Sequence, residues 1–227
     1  MIRFPTLDIV PVEGAEEAAT KLHALDKVNW LIFISANAVN FALNKNNGKI
    51  DQLHAKIAAV GRATAKALHE RGLKVDLMPS QGFNTEALLE SPSMADIHGK
   101  HCIIVRGRGG REMLADTLRE RGAKVEYLEV YQRVIPRGNN AKLLERMRQN
   151  GLDAVIVTSV EALKNLLTML DEQASLIYRI PLVVISDRIR KVAEEVGFKR
   201  VVVSDSPADA AILQSLITIQ WGKQWPK

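Results

Sequence analysis

The chain resembles itself at a constant spacing, and that is its strongest constraint on fold. WLIFISANAV at 30–39 is similar to DAVIVTSVEAL at 153–163, which sets Ser35 against Ser159. KIAAVGRATAKALHERGLKVDLMPS is similar to PLVVISDRIRKVAEEVGFKRVVVSD, which sets Gly61 against Ser186 and Gly72 against Gly197. Residues 84–89 then face 209–214, and the offset holds at about 124 to 125 residues throughout. Chance matches do not keep a spacing over such a length. A chain built this way is expected to fold as two copies of one unit.

The matched pieces say what that unit is. Residues 30–35, 56–60 and 75–78 are short apolar runs that end in small or turn residues, which reads as strand. Helical stretches follow at 36–43, 63–71 and 85–89, and Gly72 and Gly197 stand where helix-ending glycines belong. Residues 101–105, 111–121 and 125–130 continue the pattern as strand, helix and strand. Alternation of this kind implies parallel sheets with helices on both faces. PTLDIVPV near the start is similar to LEVYQRVIP, with Pro11 against Pro136. Both read as extended strands that link the domains and pair with each other.

The expected fold class is therefore α/β, with two similar parallel-sheet domains from an internal duplication. A two-stranded linker joins them, and an active site is expected in the cleft between. The boundaries read as a linker strand at 1–12, a complete domain at 13–127, a return strand at 128–137 and a terminal domain at 138–227. The strand and helix of 100–124 have no counterpart ahead of residue 1, so the terminal domain is expected to want its first strand–helix unit.

Composition bounds the function. Of the 227 residues, 47% are hydrophobic and 25% charged, ordinary for a globular chain, and the 5% aromatic content leaves the core to aliphatics. A net charge of +5 with a pI near 9.3 favours an anionic partner. The charges are mixed, without a basic run, so neither nucleic acid nor a membrane surface is expected. Cys102, the single cysteine, rules out an internal disulfide and any cysteine-based metal cluster. No stretch has the length of a membrane span or the pattern of a signal peptide, so the expected location is the cytoplasm.

Chemistry in open α/β sheets gathers at the carboxyl ends of the strands. Here those loops are ISANAV, VGRATA, VRGRGGRE, TSVEAL and ISDRIR. Ser35, Ser159 and Asp187 are candidate helix caps. Amides, hydroxyls and guanidinium groups together suit a carboxylate or phosphate. RGRGGRE reads as a glycine-flexed anion loop rather than an RNA-binding repeat. No GxxxxGK[ST] loop is present, and the five histidines are too scattered for a ligand set, so no metal site is expected.

In order along the chain, SANAV after WLIFI, VGRATAKAL, NTEALL, VRGRGGRE, LEVYQR, and TSVEAL followed by VISDRI resemble the uroporphyrinogen-III synthase family. The resemblance runs from Phe4 to about Leu216. It implies closure of hydroxymethylbilane, an octacarboxylate, into uroporphyrinogen III with loss of water and inversion of ring D, without a cofactor. It carries over Tyr131, the tyrosine of the EVYxR pattern, as the general acid. Ser35, Asn37, Gly61, Thr64, Ser159 and Ser186 carry over as substrate-facing loop positions, and Arg62, Arg106 and Arg188 as carboxylate partners. The resemblance too expects a strand, turn and helix ahead of FPTLDIVP. The expected state is a monomer, with association open to a form lacking that segment. Two other functions fit the composition: a two-lobed protein that binds an anionic small molecule without chemistry, and a nucleic-acid binder using RGRGG.

Overall fold

The computed structural model describes residues 2–13, 27–44, 54–138 and 140–221. It divides into two compact units: Ile9–Arg133, and Met1–Asp8 with Val134–Lys227. The divisions at 8/9 and 133/134 fall inside the two segments, 1–12 and 128–137, that the sequence marks as linking strands.

The Ile9–Arg133 unit holds a five-stranded sheet. Its strands are β1 (Asp8–Pro11), β2 (Trp30–Phe33), β3 (Lys56–Ala59), β4 (His101–Gly107) and β5 (Lys124–Val134), in the spatial order β1-β5-β4-β2-β3. β2 pairs in parallel with both β3 and β4, so Leu31 lies between Ile57 and Ile103. Such a strand has no wet face, and Leu31, Ile32 and Phe33 are accordingly all 0% exposed.

Alternation along the strands feeds two cores. Leu31, Phe33, Ile57, Ala59, Ile103 and Val105 pack against α1 (Ala36–Asn44) and α2 (Arg62–His69). Trp30, Ile32, Ala58, Cys102 and Ile104 pack on the other face, against α3 (Thr85–Leu89), α4 (Pro92–Ala95) and α5 (Met113–Glu120). The unit is thus a helix–sheet–helix sandwich. Burial pushes the Cys102 thiol up to about 11, which keeps it protonated and unreactive.

Two expectations change here and one holds. Residues 75–78 form no strand; Leu77 makes one isolated bridge to Ala58. The two extended segments are neighbours in the sheet, as the repeat suggests. β1 lies beside β5, and β5 runs unbroken through both the expected strand at 125–130 and the expected return segment. An eleven-residue strand is continuous because β4 pairs with its first part and β1 is its other neighbour.

The second unit carries a three-stranded parallel sheet, β6-β7-β8, from Val155–Val157, Leu182–Val184 and Val201–Val203. Its helices are α6 (Ala141–Arg148), α7 (Val160–Leu170), α8 (Asp187–Val196) and α9 (Asp209–Trp221), with a 3-10 turn at Asp171–Leu176. Leu143, Leu163, Leu166, Ile177, Leu182, Val184, Ile189 and Phe198 form its core. Gly197 ends α8 at φ 118, a left-handed cap that other residues resist, and the Phe198 amide donates back to Ala193. Beside β6 lies an open cavity of about 1270 Å³ lined by Phe4, Leu7, Leu143, Ile156 and Leu166 among others.

Candidate active site

In the five-stranded sheet the chain moves from β2 outward to β3, then returns to place β4 on the other side of β2. The carboxyl ends of β2 and β4 therefore lead into loops on opposite sides, the point at which open α/β sheets take their ligands. Ser35 follows β2, and Gly107 ends β4.

Ser35 caps α1: its Oγ accepts the Ala38 amide at 3.1 Å. The same Oγ lies 3.3 Å from the Tyr131 hydroxyl. Tyr131 arrives there through a fault in the ladder. Arg106 pairs with Glu129, but the next residue, Gly107, pairs with Tyr131, so Val130 is an extra residue in β5. Strict alternation would send Val130 and Tyr131 to opposite faces. The bulge instead turns both inward, where Leu128, Val130 and Tyr131 share one core at 3%, 2% and 5% exposure. The ring packs beside Phe41 at 5.6 Å. It also lies so close to Gly107 that an added Cβ there would sit 2.5 Å from it. Glycine is required at this position by close approach.

The RGRGG loop is held by its own unit. Arg106 is 3% exposed; it donates to the Gly107 and Gly109 carbonyls and to Glu112 at 3.0 Å, and stacks over Tyr127 at 4.6 Å. The Tyr127 hydroxyl donates to Glu112. That bond, then the Arg106 and Arg119 charges, holds the Glu112 carboxyl below its ordinary range. Desolvation and the same carboxylate push the Tyr127 hydroxyl up. Arg108 pairs with Glu129 at 3.5 Å and Arg111 with Glu86 at 3.2 Å. The three arginines of the expected anion loop thus each meet a carboxylate of the same unit. Those of Arg108 and Arg111 are solvent-exposed pairs that are worth little and exchange easily.

The remaining expected residues sort as follows. Asn37 is half-buried in the first turn of α1. Gly61 caps α2 in extended backbone, and a Cβ there would meet the Phe83 carbonyl at 3.2 Å. Arg62 is exposed and stacks on Phe83 at 4.2 Å. Thr64 and Arg106 are buried, at 4% and 3% exposure, as Tyr131 is at 5%.

In the other unit, Ser159 caps α7 and accepts the Ala162 amide at 3.0 Å. Ser186, not Asp187, caps α8; Asp187 lies in the first turn and pairs with Arg190 at 2.8 Å. Arg188 is exposed. The expected residues therefore form two groups: Ser35, Asn37, Gly61, Arg62 and Tyr131 at strand ends of one unit, and Ser159, Ser186 and Arg188 at the ends of β6 and β7 in the other. No cluster of three metal-ligating side chains occurs among the described residues.

A family model described as uroporphyrinogen-III synthase HemD matches residues 1–214. The chain belongs to the uroporphyrinogen-III synthase family. It is 34% identical over 218 residues to the uroporphyrinogen-III synthase of Escherichia coli, covering 94% of this chain and 88% of that protein. Identity to the Salmonella typhimurium synthase is 32% over 217 residues, with the same coverage of each. The solved uroporphyrinogen-III synthetase of Helicobacter pylori shares the fold at a TM-score of 0.58 with 18% identity, across 94% of this chain and 91% of that one.

Two features of the site depend on contacts between strands rather than on local sequence. The bulge at Val130 depends on where β4 stops, and the fit of Gly107 to the Tyr131 ring is a contact between strands. Glu112 and Tyr127 were also missed. Glycine directly after a strand, opposite a tyrosine of the next strand, is the one pattern that could have pointed to the contact.

Proposed function

We propose that this chain closes hydroxymethylbilane into uroporphyrinogen III in a cleft between its two units, as its family membership implies. The observation that carries the reading to particular residues is the hydroxyl pair of Ser35 and Tyr131 at the carboxyl ends of β2 and β4. We further infer that the two units descend from one duplicated ancestor. The matched Ser35 and Ser159 caps support this, as do matched strand–turn–helix steps after β2 and β6.

The reaction sets the site two tasks. Hydroxymethylbilane cyclises unaided to the symmetrical type I isomer, so the protein must fold the bilane until the substituted carbon of ring D reaches ring A first. That is a problem of orientation. Strand-end amides and the hydroxyls of Ser159 and Ser186, with Asn37, Gly61, Arg62 and Arg188, are the groups we assign to the substrate carboxylates. The second task is departure of the hydroxymethyl oxygen as water, which needs a proton donor. The ring A nitrogen supplies the electron pair, and an azafulvene results. Attack by ring D, fragmentation of the spiro intermediate and reclosure then follow. The overall change is a dehydration with rearrangement of carbon–carbon bonds and no net redox, so the proposal assigns it no cofactor.

Fresh hydroxymethylbilane should give predominantly the type III isomer with this protein, read by chromatography after oxidation, and added chelator should not change the yield. A folded sample that returns the isomer mixture of the enzyme-free control would overturn the reading.

A further inference from the structure

Tyr131 is 5% exposed, buried behind Gly107 and Phe41, while Ser35 is half-exposed. Their hydroxyls are 3.3 Å apart. Counting hydrogens assigns the direction of that bond. A serine hydroxyl has two acceptor lone pairs and one hydrogen. The Ala38 amide occupies one lone pair of Ser35. If Ser35 donated to Tyr131, the tyrosine hydrogen would be left in the core, where no other partner for it is recorded among the described residues. If Tyr131 donates, its hydrogen is satisfied, both lone pairs of Ser35 are filled, and the Ser35 hydrogen is forced outward.

We propose that Tyr131 acts through Ser35: Ser35 presents the proton to the departing hydroxyl, and Tyr131 is the positioning residue that orients it and makes good its proton. The inference rests on the functional reading above. As the bond from the hydroxymethyl carbon to oxygen breaks, its electron pair stays on oxygen, which takes the Ser35 proton and leaves as water. The Ser35 oxygen takes the Tyr131 proton in turn. The proton lost when the closed macrocycle regains its pyrrole aromaticity returns by the same two atoms, so the pair ends as it began. The Val130 bulge is what makes this arrangement available, since without it the tyrosine would face the opposite side of the sheet.

A double-mutant cycle tests it. Tyr131→Phe and Ser35→Ala should each lower kcat for type III formation by about 10²-fold with KM nearly unchanged, in line with the loss of one general acid. The double variant should be no slower than either single one, because both changes break a single route. Ser35→Thr, which keeps a hydroxyl, should recover most of the rate. Ser35→Asn, which keeps the helix cap without a hydroxyl, should not, and it separates the proton from the fold. Multiplying losses, a Ser35→Ala enzyme of undiminished kcat, or effects confined to KM would each overturn the inference while leaving the synthase reading intact. Wild-type protein that forms no type III isomer would overturn both.

Discussion

Glu112 shows how much of this site is settled by single side chains. Its carboxyl is held below the ordinary 4.5, first by the Tyr127 hydroxyl and then by Arg106. A carboxylate depressed in the folded state adds stability above its unfolded value, and that stability is lost as pH falls through the folded value. Glu112→Gln should therefore flatten the acid limb of the stability curve. From about pH 6 down to about pH 3 the variant's melting temperature should fall less steeply than the wild type's. Parallel limbs would mean that the bond to Tyr127 is not kept in solution. Arg106 carries the other half of the lesson. A guanidinium at 3% exposure that satisfies two carbonyls and a carboxylate shapes its loop.

At the scale of elements, the meeting of β4 and β5 decides where Tyr131 points. Two things are needed together: an extra residue in one strand and no side chain on the other. Gly107→Ala puts a methyl carbon 2.5 Å from the Tyr131 ring, which is itself packed in the core beside Phe41. The substitution should cost about 1–3 kcal/mol, the range for overpacking a core, measured by urea unfolding. It should also slow type III formation, because the ring can yield only by moving its hydroxyl away from Ser35. Full stability with full activity would show that the contact is looser than the structure has it.

Across the whole molecule the two units are built to different depths. β2 lies between two parallel neighbours and has three side chains at 0% exposure. β6 has only three residues, pairs on one side with β7, and leaves Ile156 41% exposed beside the open cavity. Local opening follows such differences. Amides of β2 and β4 should exchange last, and those at 155–157, 182–184 and 201–203 at least about tenfold faster. Equal protection in the two sheets would mean that three short strands suffice for the second core.

Periodicity and spacing alone determined the α/β class, the parallel strands, four helices of the first unit to within two residues, and the Ser35 and Ser159 caps, since each depends on residues near one another in the chain. The repeat also located the loops that carry the candidate chemistry. Tertiary structure decided what depends on partners distant in sequence. Residues 75–78 have strand-like composition but meet a neighbour only at Leu77. The pairing of β1 with the return segment is legible in the repeat, but the fusion of that segment with 125–130 into one β5 depends on β4 beside its first part. Arg106 turned inward because Glu112 and Tyr127 awaited it, and Tyr131 did so because a bulge reversed its face. A chain encodes its local pattern residue by residue, whereas register between strands is a relation between two segments, and only the assembled sheet contains it.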